Sequence, residues 1–183
     1  MKKEKSLSLF LLGMAIILGC NPAYTQSYAE HEKEWKKAAA VENPIINNAV
    51  WENITKEKVY NNCLAALHLE DFGLEPQLTS KESGLIVTSL IKFYPDPQYK
   101  LVGGEYYLNI LVYESEGNDI TIDIQVKGAR WYKIDDGAWG WKKSDMDNSV
   151  NNKISDDVGR FINKLESMQG KAISKTTMTL NFE

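Results

Sequence analysis

The stretch DITIDIQVK, residues 119–127, has the most regular pattern in the sequence. Its apolar side chains alternate strictly with its polar ones: Ile120, Ile122, Ile124 and Val126 against Thr121, Asp123, Gln125 and Lys127. Successive side chains of a β-strand point to opposite faces of a sheet, so this period of two predicts a half-buried antiparallel strand. We therefore expect a sheet with one dry face and one wet face.

Further strands are predicted on both sides of this stretch, because β-branched and aromatic side chains recur there between turn residues. The predicted strands are residues 75–79, 85–93, 106–113 and, as an extension after Gly128, 131–134. Pro76 marks the first of these as an edge strand or a strand start, since proline cannot donate a backbone hydrogen bond. Residues 95–104 contain prolines and glycines and are predicted to form a loop.

Two segments have the period of an amphipathic helix. Residues 56–72 are the first, with Thr55 as its N-cap and Gly73 as the residue that follows its C-terminus. Residues 149–168 are the second, which Gly170 ends. The apolar stripe of this second helix consists of Val150, Ile154, Val158, Phe161, Ile162 and Leu165.

The order helix, strands, helix predicts the fold class. Each helix has one apolar stripe and the sheet has one apolar face, so both helices are expected to pack on the same face of the sheet. We predict an α+β two-layer sandwich over residues 49–170, with about four antiparallel strands and two helices. Residues 171–183 alternate at Met178, Leu180 and Phe182, so this tail is either an added strand or a loose end.

The N-terminus has the pattern of an export signal. A basic start at residues 1–5 precedes an apolar run at residues 7–18. As a helix this run would be about 18 Å long, which is too short to span a hydrocarbon core of about 30 Å. The run ends in the sequence Ile17-Leu18-Gly19-Cys20, which indicates a cleaved signal peptide.

This ending resembles the lipobox of bacterial lipoproteins. The resemblance implies that a diacylglycerol is attached to the Cys20 thiol and that a signal peptidase cuts between Gly19 and Cys20. Acyl chains such as palmitate would then hold the mature protein at a membrane. Residues 1–19 would be the signal peptide, and residues 20–48 a polar tether in which residues 30–41 could form a short helix.

Two alternatives concern the place of the mature protein. Asn21 follows the cysteine in place of the Asp that is associated with inner-membrane retention in some bacteria, so the outer membrane is favoured. The domain would then face the periplasm of the cell envelope. An ordinary secretory signal, cut after Ala23 or Ala29, is the alternative to lipidation.

Charge and motifs restrict the function classes. The chain of 183 residues has a formal net charge of -4 and lacks a basic stripe, which argues against nucleic-acid binding. It has no H-E-x-x-H, G-x-S-x-G, P-loop or G-x-G-x-x-G motif, and His31 and His68 stand apart from any ligand pattern. Residues 145–149 lack the glycine and the closing Glu of a calcium loop and predict a helix start instead. We predict no catalytic residue, no cofactor and no metal, and a buried Cys63 on the first helix.

An unusual aromatic segment follows the strands. Trp131, Tyr132, Trp139 and Trp141 occur close together, and Lys142 and Lys143 come directly after them. Aromatic side chains with a polar group are favoured at binding surfaces, so these four residues are a candidate binding surface for a protein or for a glycan such as peptidoglycan. Alternatively, they fill the edge of the sheet and the base of the second helix.

A second pattern resembles small envelope lipoproteins with BamC-like or TBP-like domains. Residues 72–74 (FGL) and 84–88 (GLIVT) carry this resemblance, which implies a role in binding or assembly. The leading hypothesis is therefore a non-catalytic envelope lipoprotein that binds another envelope component, foremost a protein. A glycan- or peptidoglycan-binding module and a hydrolase with an unrecognised site are the alternatives.

Overall fold

The computed structural model describes residues 30, 33–95, 102–133 and 140–182. They belong to two units, residues 1–38 and residues 39–183. In the first unit residues 33–38 are helical, within the range 30–41 where the sequence allows a short helix. The predicted signal peptide, cleavage site and lipidation site, residues 1–20, lie outside the described residues.

The described part of the second unit contains six strands and two long helices. In chain order these are β1 (Ile45–Trp51), α1 (Lys56–Leu69), β2 (Leu85–Val87), β3 (Ile91–Phe93), β4 (Val102–Glu114), β5 (Ile120–Lys133), α2 (Lys143–Gln169) and β6 (Ser174–Met178). The strands form one antiparallel sheet in the order β2-β4-β5-β1-β6, and β3 pairs with β4 as well. The predicted α+β class with an antiparallel sheet is confirmed. The described residues contain six strands where about four were predicted, and three helices, counting the short segment at residues 33–38, where two were predicted.

The core lies between one face of the sheet and the two long helices. On this inner face, alternate residues of β4 and β5 are buried: Tyr106, Leu108, Ile110, Val112, Ile120, Ile122 and Ile124. They belong to the same core cluster as the apolar stripes of α1 and α2, and the two helices also contact each other. Cys63 of α1 lies in this cluster and is fully buried, as the sequence predicts.

Strand β1 was not predicted, since its residues 45–48 read as the end of the tether. In the structure β1 lies between β5 and β6, where Asn48 is opposite Asp123 and Ile45 is opposite Met178. The predicted tail therefore contributes an added strand. Pro44 and the adjacent asparagines suggest a linker, but partners distant in sequence supply the hydrogen bonds that make this segment a strand.

Two strand predictions are wrong in detail. Residues 75–79 form a turn, in which the backbone N–H groups of Leu78 and Thr79 donate to the Glu75 carbonyl. The predicted strand 85–93 is divided into β2 and β3. At the break, the Thr88 hydroxyl accepts a hydrogen bond from the Leu108 N–H at 2.9 Å and so takes the place of a backbone carbonyl.

Strand β4 starts inside the segment that was predicted to be a loop. The prediction failed because Gly103 and Gly104 suggest a turn, whereas in the structure both lie within the strand. The ring of Tyr132 lies across Gly103 and the ring of Phe93 across Gly104, so a Cβ atom at either glycine would overlap an aromatic ring. Here glycine permits close approach of neighbouring side chains instead of a change in chain direction.

The helix ends differ from prediction for local reasons. Thr55 caps α1 as predicted, with its hydroxyl accepting from the Lys58 N–H at 3.3 Å. The helix ends at Leu69 rather than residue 72, because Asp71 takes a left-handed conformation with φ 61°. Helix α2 begins at Lys143, earlier than predicted, and ends before Gly170 as predicted.

Candidate functional site

The outer face of β4 carries a row of side chains that we call the outer row: Tyr107, Asn109, Leu111 and Tyr113. The first three are half-buried, and the Tyr113 side chain is 37% exposed. Leu111 lies opposite Leu85 of β2, which extends the apolar part of this face. The Asn109 Oδ1 atom is buried and has no hydrogen-bond partner. The outer row therefore combines aromatic and aliphatic area with one unsatisfied acceptor.

The outer face of β5 is polar, as the alternating pattern predicts. Gln125 and Lys127 are exposed, and the Gln125 amide donates to the Asp123 carboxylate at 3.1 Å. Thr121 is buried and bonded to the Ser115 hydroxyl at 3.0 Å. The outer face of the sheet is thus polar along β5 and largely aromatic and aliphatic along β4, which is a typical composition for a protein contact.

The predicted aromatic residues do not share one surface. Trp131 and Tyr132 are consecutive in β5 and so lie on opposite faces of the sheet. Trp131 packs on the core, and both Trp131 and Trp141 pack against a satellite cluster of Val102 and Met146. Trp139 lies outside the described residues.

Tyr132 is held on the outer face. Its ring lies over Gly103, and its hydroxyl is hydrogen-bonded with Tyr94. Burial and this hydrogen bond raise the pKa of the Tyr132 phenol. The phenol therefore remains protonated at neutral pH and serves as a packing and hydrogen-bonding group.

A groove lies beside Trp131, between the end of β5, the first turns of α2 and the C-terminal segment. We call it the Trp131 groove; its volume is about 410 Å³ and its lining residues are Ala129, Arg130, Trp131, Lys143, Asp147, Asn181 and Phe182. The Trp131 indole N–H donates to Asp147 Oδ1 at 2.8 Å, which fixes the orientation of the ring. The Leu180 N–H donates to Asn151 Oδ1 at 3.3 Å, which holds the C-terminal segment against α2.

The charged side chains on the Trp131 side of the groove are Lys143 and Asp147. The Arg130 side chain is 74% exposed and is paired with the Glu105 carboxylate, which also lies 3.8 Å from the Lys92 ammonium. Lys143 is exposed and forms no ion pair within the described part of the chain. The Asp147 carboxylate is the acidic group of the lining. Arg130 and Trp131 are consecutive in β5, so the guanidinium lies on the outer face with Glu105, and Lys143 is the cation on the side of the indole.

A polar network joins α2 to the core of the sheet. The buried Asp157 carboxylate accepts hydrogen bonds from the Tyr106 hydroxyl, from Lys153 and, at 2.6 Å, from Arg160. Burial alone would raise the pKa of Asp157, but the hydrogen bonds from Lys153, Tyr106 and Arg160 hold it below its ordinary value. Asp157 is therefore ionised, and the pKa of the buried Tyr106 phenol is raised.

A second buried carboxylate lies near the end of α2. Glu166 accepts from the Ala172 N–H and the Lys175 ammonium, both at 3.0 Å. Burial opposes ionisation, yet these hydrogen bonds and the charges of Lys175 and Lys171 lower the pKa of Glu166. Asp157 and Glu166 thus lack the raised pKa of a general acid, and they connect α2 to the sheet.

The remaining predictions about site chemistry concern metals, membranes and lipidation. Within residues 30, 33–95, 102–133 and 140–182, no group of three or more His, Cys, Asp or Glu side chains could hold a metal ion. Among the helices described, none combines the length and the apolar character needed to cross a membrane. Gly19 and Cys20 lie outside the described residues.

No protein-family model matches the sequence, and no curated protein has significant similarity to it.

The sequence analysis identified some residues of the Trp131 groove and none of the outer row. It singled out Trp131 and Lys143 but did not connect them with Asp147, which read as part of a helix start, or with Phe182 in the tail. It also missed the outer row, since residues 106–113 were recognised as a strand without assigning their faces. Buried and half-buried positions alternate along β4 from Tyr106 to Val112, and the sequence does not reveal this because both faces carry apolar residues.

Proposed function

We propose that this protein is a lipid-anchored component of the bacterial cell envelope that binds another envelope protein and has no catalytic role. The lipid on Cys20 holds it at the membrane, with the outer membrane favoured, and the polar tether separates the α+β domain from the headgroups. In this proposal the tether is the polar segment between Cys20 and the helical residues 33–38. The lipobox-like sequence Ile17-Leu18-Gly19-Cys20 supports the anchor.

The outer row is the single observation that carries the binding role. Tyr107, Leu111 and Tyr113 present aromatic and aliphatic area on the outer face of the sheet, opposite the side that both helices cover. Tyrosine is favoured at protein interfaces because it combines a large apolar ring with a hydroxyl.

The anchor is tested by metabolic labelling. Cells that express the full chain with radiolabelled palmitate should incorporate label into the protein, and the protein should fractionate with the envelope. Cys20→Ser should abolish both results, because the acyl chains can then no longer be attached. Unchanged fractionation of this variant, or wild-type protein without label, would overturn the lipoprotein proposal.

The binding face is tested by photo-crosslinking in intact cells. A photoreactive amino acid at position 113 should give a discrete adduct with another protein, while the same group at the exposed position 163 of α2 should not. Leu111→Lys should remove the adduct from position 113 because it places a charge in the centre of the apolar row. Equal adducts from both positions would contradict the proposed face.

A glycan-binding role is the second candidate, and the Trp131 groove is the observation that favours it. Its indole, phenyl and charged groups occupy a different part of the molecule from the outer row.

A further inference from the structure

We propose that Asn151 of α2 couples two distant parts of the chain, so that loosening either one loosens the other. The first part is residues 41–44, which precede β1 and which we call the strap. The second is residues 179–182, which follow β6 and which we call the end segment. Because the end segment supplies two lining residues of the Trp131 groove, Asn181 and Phe182, this coupling makes the groove respond to the strap.

Side chains of α2 hold the strap in place. The Asn152 Oδ1 atom accepts a hydrogen bond from the Asn43 N–H at 2.8 Å, and its Nδ2 atom donates to the Val41 carbonyl at 2.6 Å. The Ser155 hydroxyl donates to the Pro44 carbonyl at 2.7 Å. All four strap residues are exposed or half-buried, so these hydrogen bonds, rather than burial of apolar side chains, keep the strap on the helix. Segments held in this way open at low cost in free energy.

Asn151 lies where the strap and the end segment would otherwise pair. Strands β1 and β6 are antiparallel with Ile45 opposite Met178, so continued pairing would place Asn43 opposite Leu180. In the structure the Asn151 Nδ2 atom donates to the Asn43 carbonyl at 2.7 Å, and its Oδ1 atom accepts from the Leu180 N–H at 3.3 Å. One side-chain amide, which has both a donor and an acceptor, therefore bridges the two segments.

The burial of Asn151 is the physical cause of the coupling. Its side chain is 0% exposed, and a buried donor that loses its acceptor is costly. If the strap leaves, the Asn151 Nδ2 atom loses the Asn43 carbonyl and regains a partner only by rotating toward water. This rotation withdraws Oδ1 from the Leu180 N–H, so the end segment loses its hydrogen bond to α2. The same argument applies in reverse when the end segment leaves first.

The Trp131 groove is affected through one of its walls. The Trp131 ring is held independently of the strap, by its hydrogen bond to Asp147. Phe182 follows Leu180 by two residues, so loss of the Leu180 hydrogen bond leaves this wall held by side-chain packing alone. The proposed tether precedes the strap in the chain, and a pull on the tether therefore reaches the strap before β1. The coupling itself depends only on the folded domain.

The test is amide hydrogen exchange of the full chain in detergent, measured by NMR. Asn152→Ala removes two hydrogen bonds of the strap and leaves Asn151 in place. Exchange at the Asn43 amide should accelerate because its acceptor is gone, and exchange at the Leu180 amide should accelerate about fivefold through the coupling. Asn163→Ala is the matched control, since Asn163 is an exposed asparagine of the same helix and should change Leu180 exchange by less than about twofold.

The reverse direction is tested at Leu180. Leu180→Pro removes the N–H that Asn151 binds, and it should accelerate exchange at the Asn43 amide about fivefold, because a coupling free energy acts equally in both directions. Leu180→Ala keeps the N–H and removes most of the side chain, so it should have the smaller effect on Asn43. This pair of variants separates the hydrogen bond from the packing of the end segment.

The indole N–H resonance of Trp131, assigned with Trp131→Phe, reports on the groove. It should move in Asn152→Ala and in Leu180→Pro, because the Phe182 ring beside it changes position. It should stay unchanged in Asn163→Ala.

Three results would overturn the inference. The first is faster exchange at Asn43 in Asn152→Ala with no change at Leu180, which would make the two segments independent. The second is a Trp131 resonance that neither variant moves. The third is acceleration at Leu180 that the core amide of Ile122 shares equally, since this would be a general loss of stability. Failure of the lipid or partner proposals leaves all of these measurements unaffected, so it can be recognised separately.

Discussion

The two faces of β4 differ sharply although their residues alternate along one strand. On the inner face Tyr106, Leu108 and Ile110 are fully buried against the helices. One position away, Leu111 is half-buried and Tyr113 is 37% exposed. The chemistry of the side chains is similar on both faces, so residue type alone does not tell which face stabilises the fold and which is available to a partner. That difference comes from the position of α1 and α2.

The largest expected effect is the difference in stability between alanine variants of Ile110 on the inner face and Leu111 on the outer face. Ile110→Ala should lower the free energy of unfolding by about 2–5 kcal/mol, because it opens a cavity in a packed core. Leu111→Ala should cost less than about 1 kcal/mol, since a half-buried residue at an open face leaves no enclosed cavity. Urea unfolding of the two variants measures both values. Similar losses would show that the outer face is covered as completely as the inner one.

The next effect concerns the buried network on the inner face. Asp157→Ala should lower the free energy of unfolding by about 2–4 kcal/mol, because the buried Tyr106 hydroxyl and two cations lose their acceptor. Asp156→Ala is the matched control, since Asp156 is the exposed neighbour on the same helix and should change stability by less than about 0.5 kcal/mol. Equal changes in the two variants would show that the hydrogen bonds of Asp157 add nothing to stability beyond what any aspartate of this helix contributes.

A smaller effect should appear when the pH is lowered. The pKa of Asp157 is depressed in the folded protein, so its stabilising contribution is fully present above the unfolded pKa of about 3.9 and is lost as the pH falls through the folded value. Glu166 changes stability in the same direction. The stability gap between wild type and Asp157→Asn, measured by urea unfolding, should therefore be constant above about pH 5 and shrink below about pH 4. A gap that grows in acid would contradict this sign.

The sequence predicted correctly those parts of the fold that are determined by residues close together in the chain. The alternation around Ile122, the cap at Thr55 and the end of α2 at Gly170 are set by neighbouring residues, and the structure confirms them. Strand β1 depends on pairing with β5 and β6, and the early start of β4 depends on rings that lie across Gly103 and Gly104. Such contacts between distant segments leave no local pattern.

In the Trp131 groove, too, the sequence indicated the residues that are close together in the chain and missed the distant ones. The sequence drew attention to Trp131 and Lys143 because aromatic and basic residues are concentrated there. The predicted strand over residues 131–134 already implies that Trp131 and Tyr132 face opposite sides of the sheet. Nothing in the sequence shows that Phe182 returns from the C-terminus to line the groove with Trp131. A site built from β5, α2 and the tail can be recognised only when the chain is folded.

The smallest expected change in stability is at Tyr113, and this residue tests whether the outer face of β4 binds a partner. Tyr113→Ala should lower the free energy of unfolding by less than about 0.5 kcal/mol, because its side chain is partly exposed on the outer face. The same variant should strongly reduce co-purification of the protein that is crosslinked from position 113, since tyrosines often contribute more than about 1 kcal/mol to an interface. Tyr106→Phe is the opposite case, because it should reduce stability through the lost hydrogen bond to Asp157 and leave partner binding unchanged. If Tyr113→Ala instead destabilises the protein as much as Tyr106→Phe and leaves the partner bound, then the outer row is a second core surface and the binding face lies elsewhere.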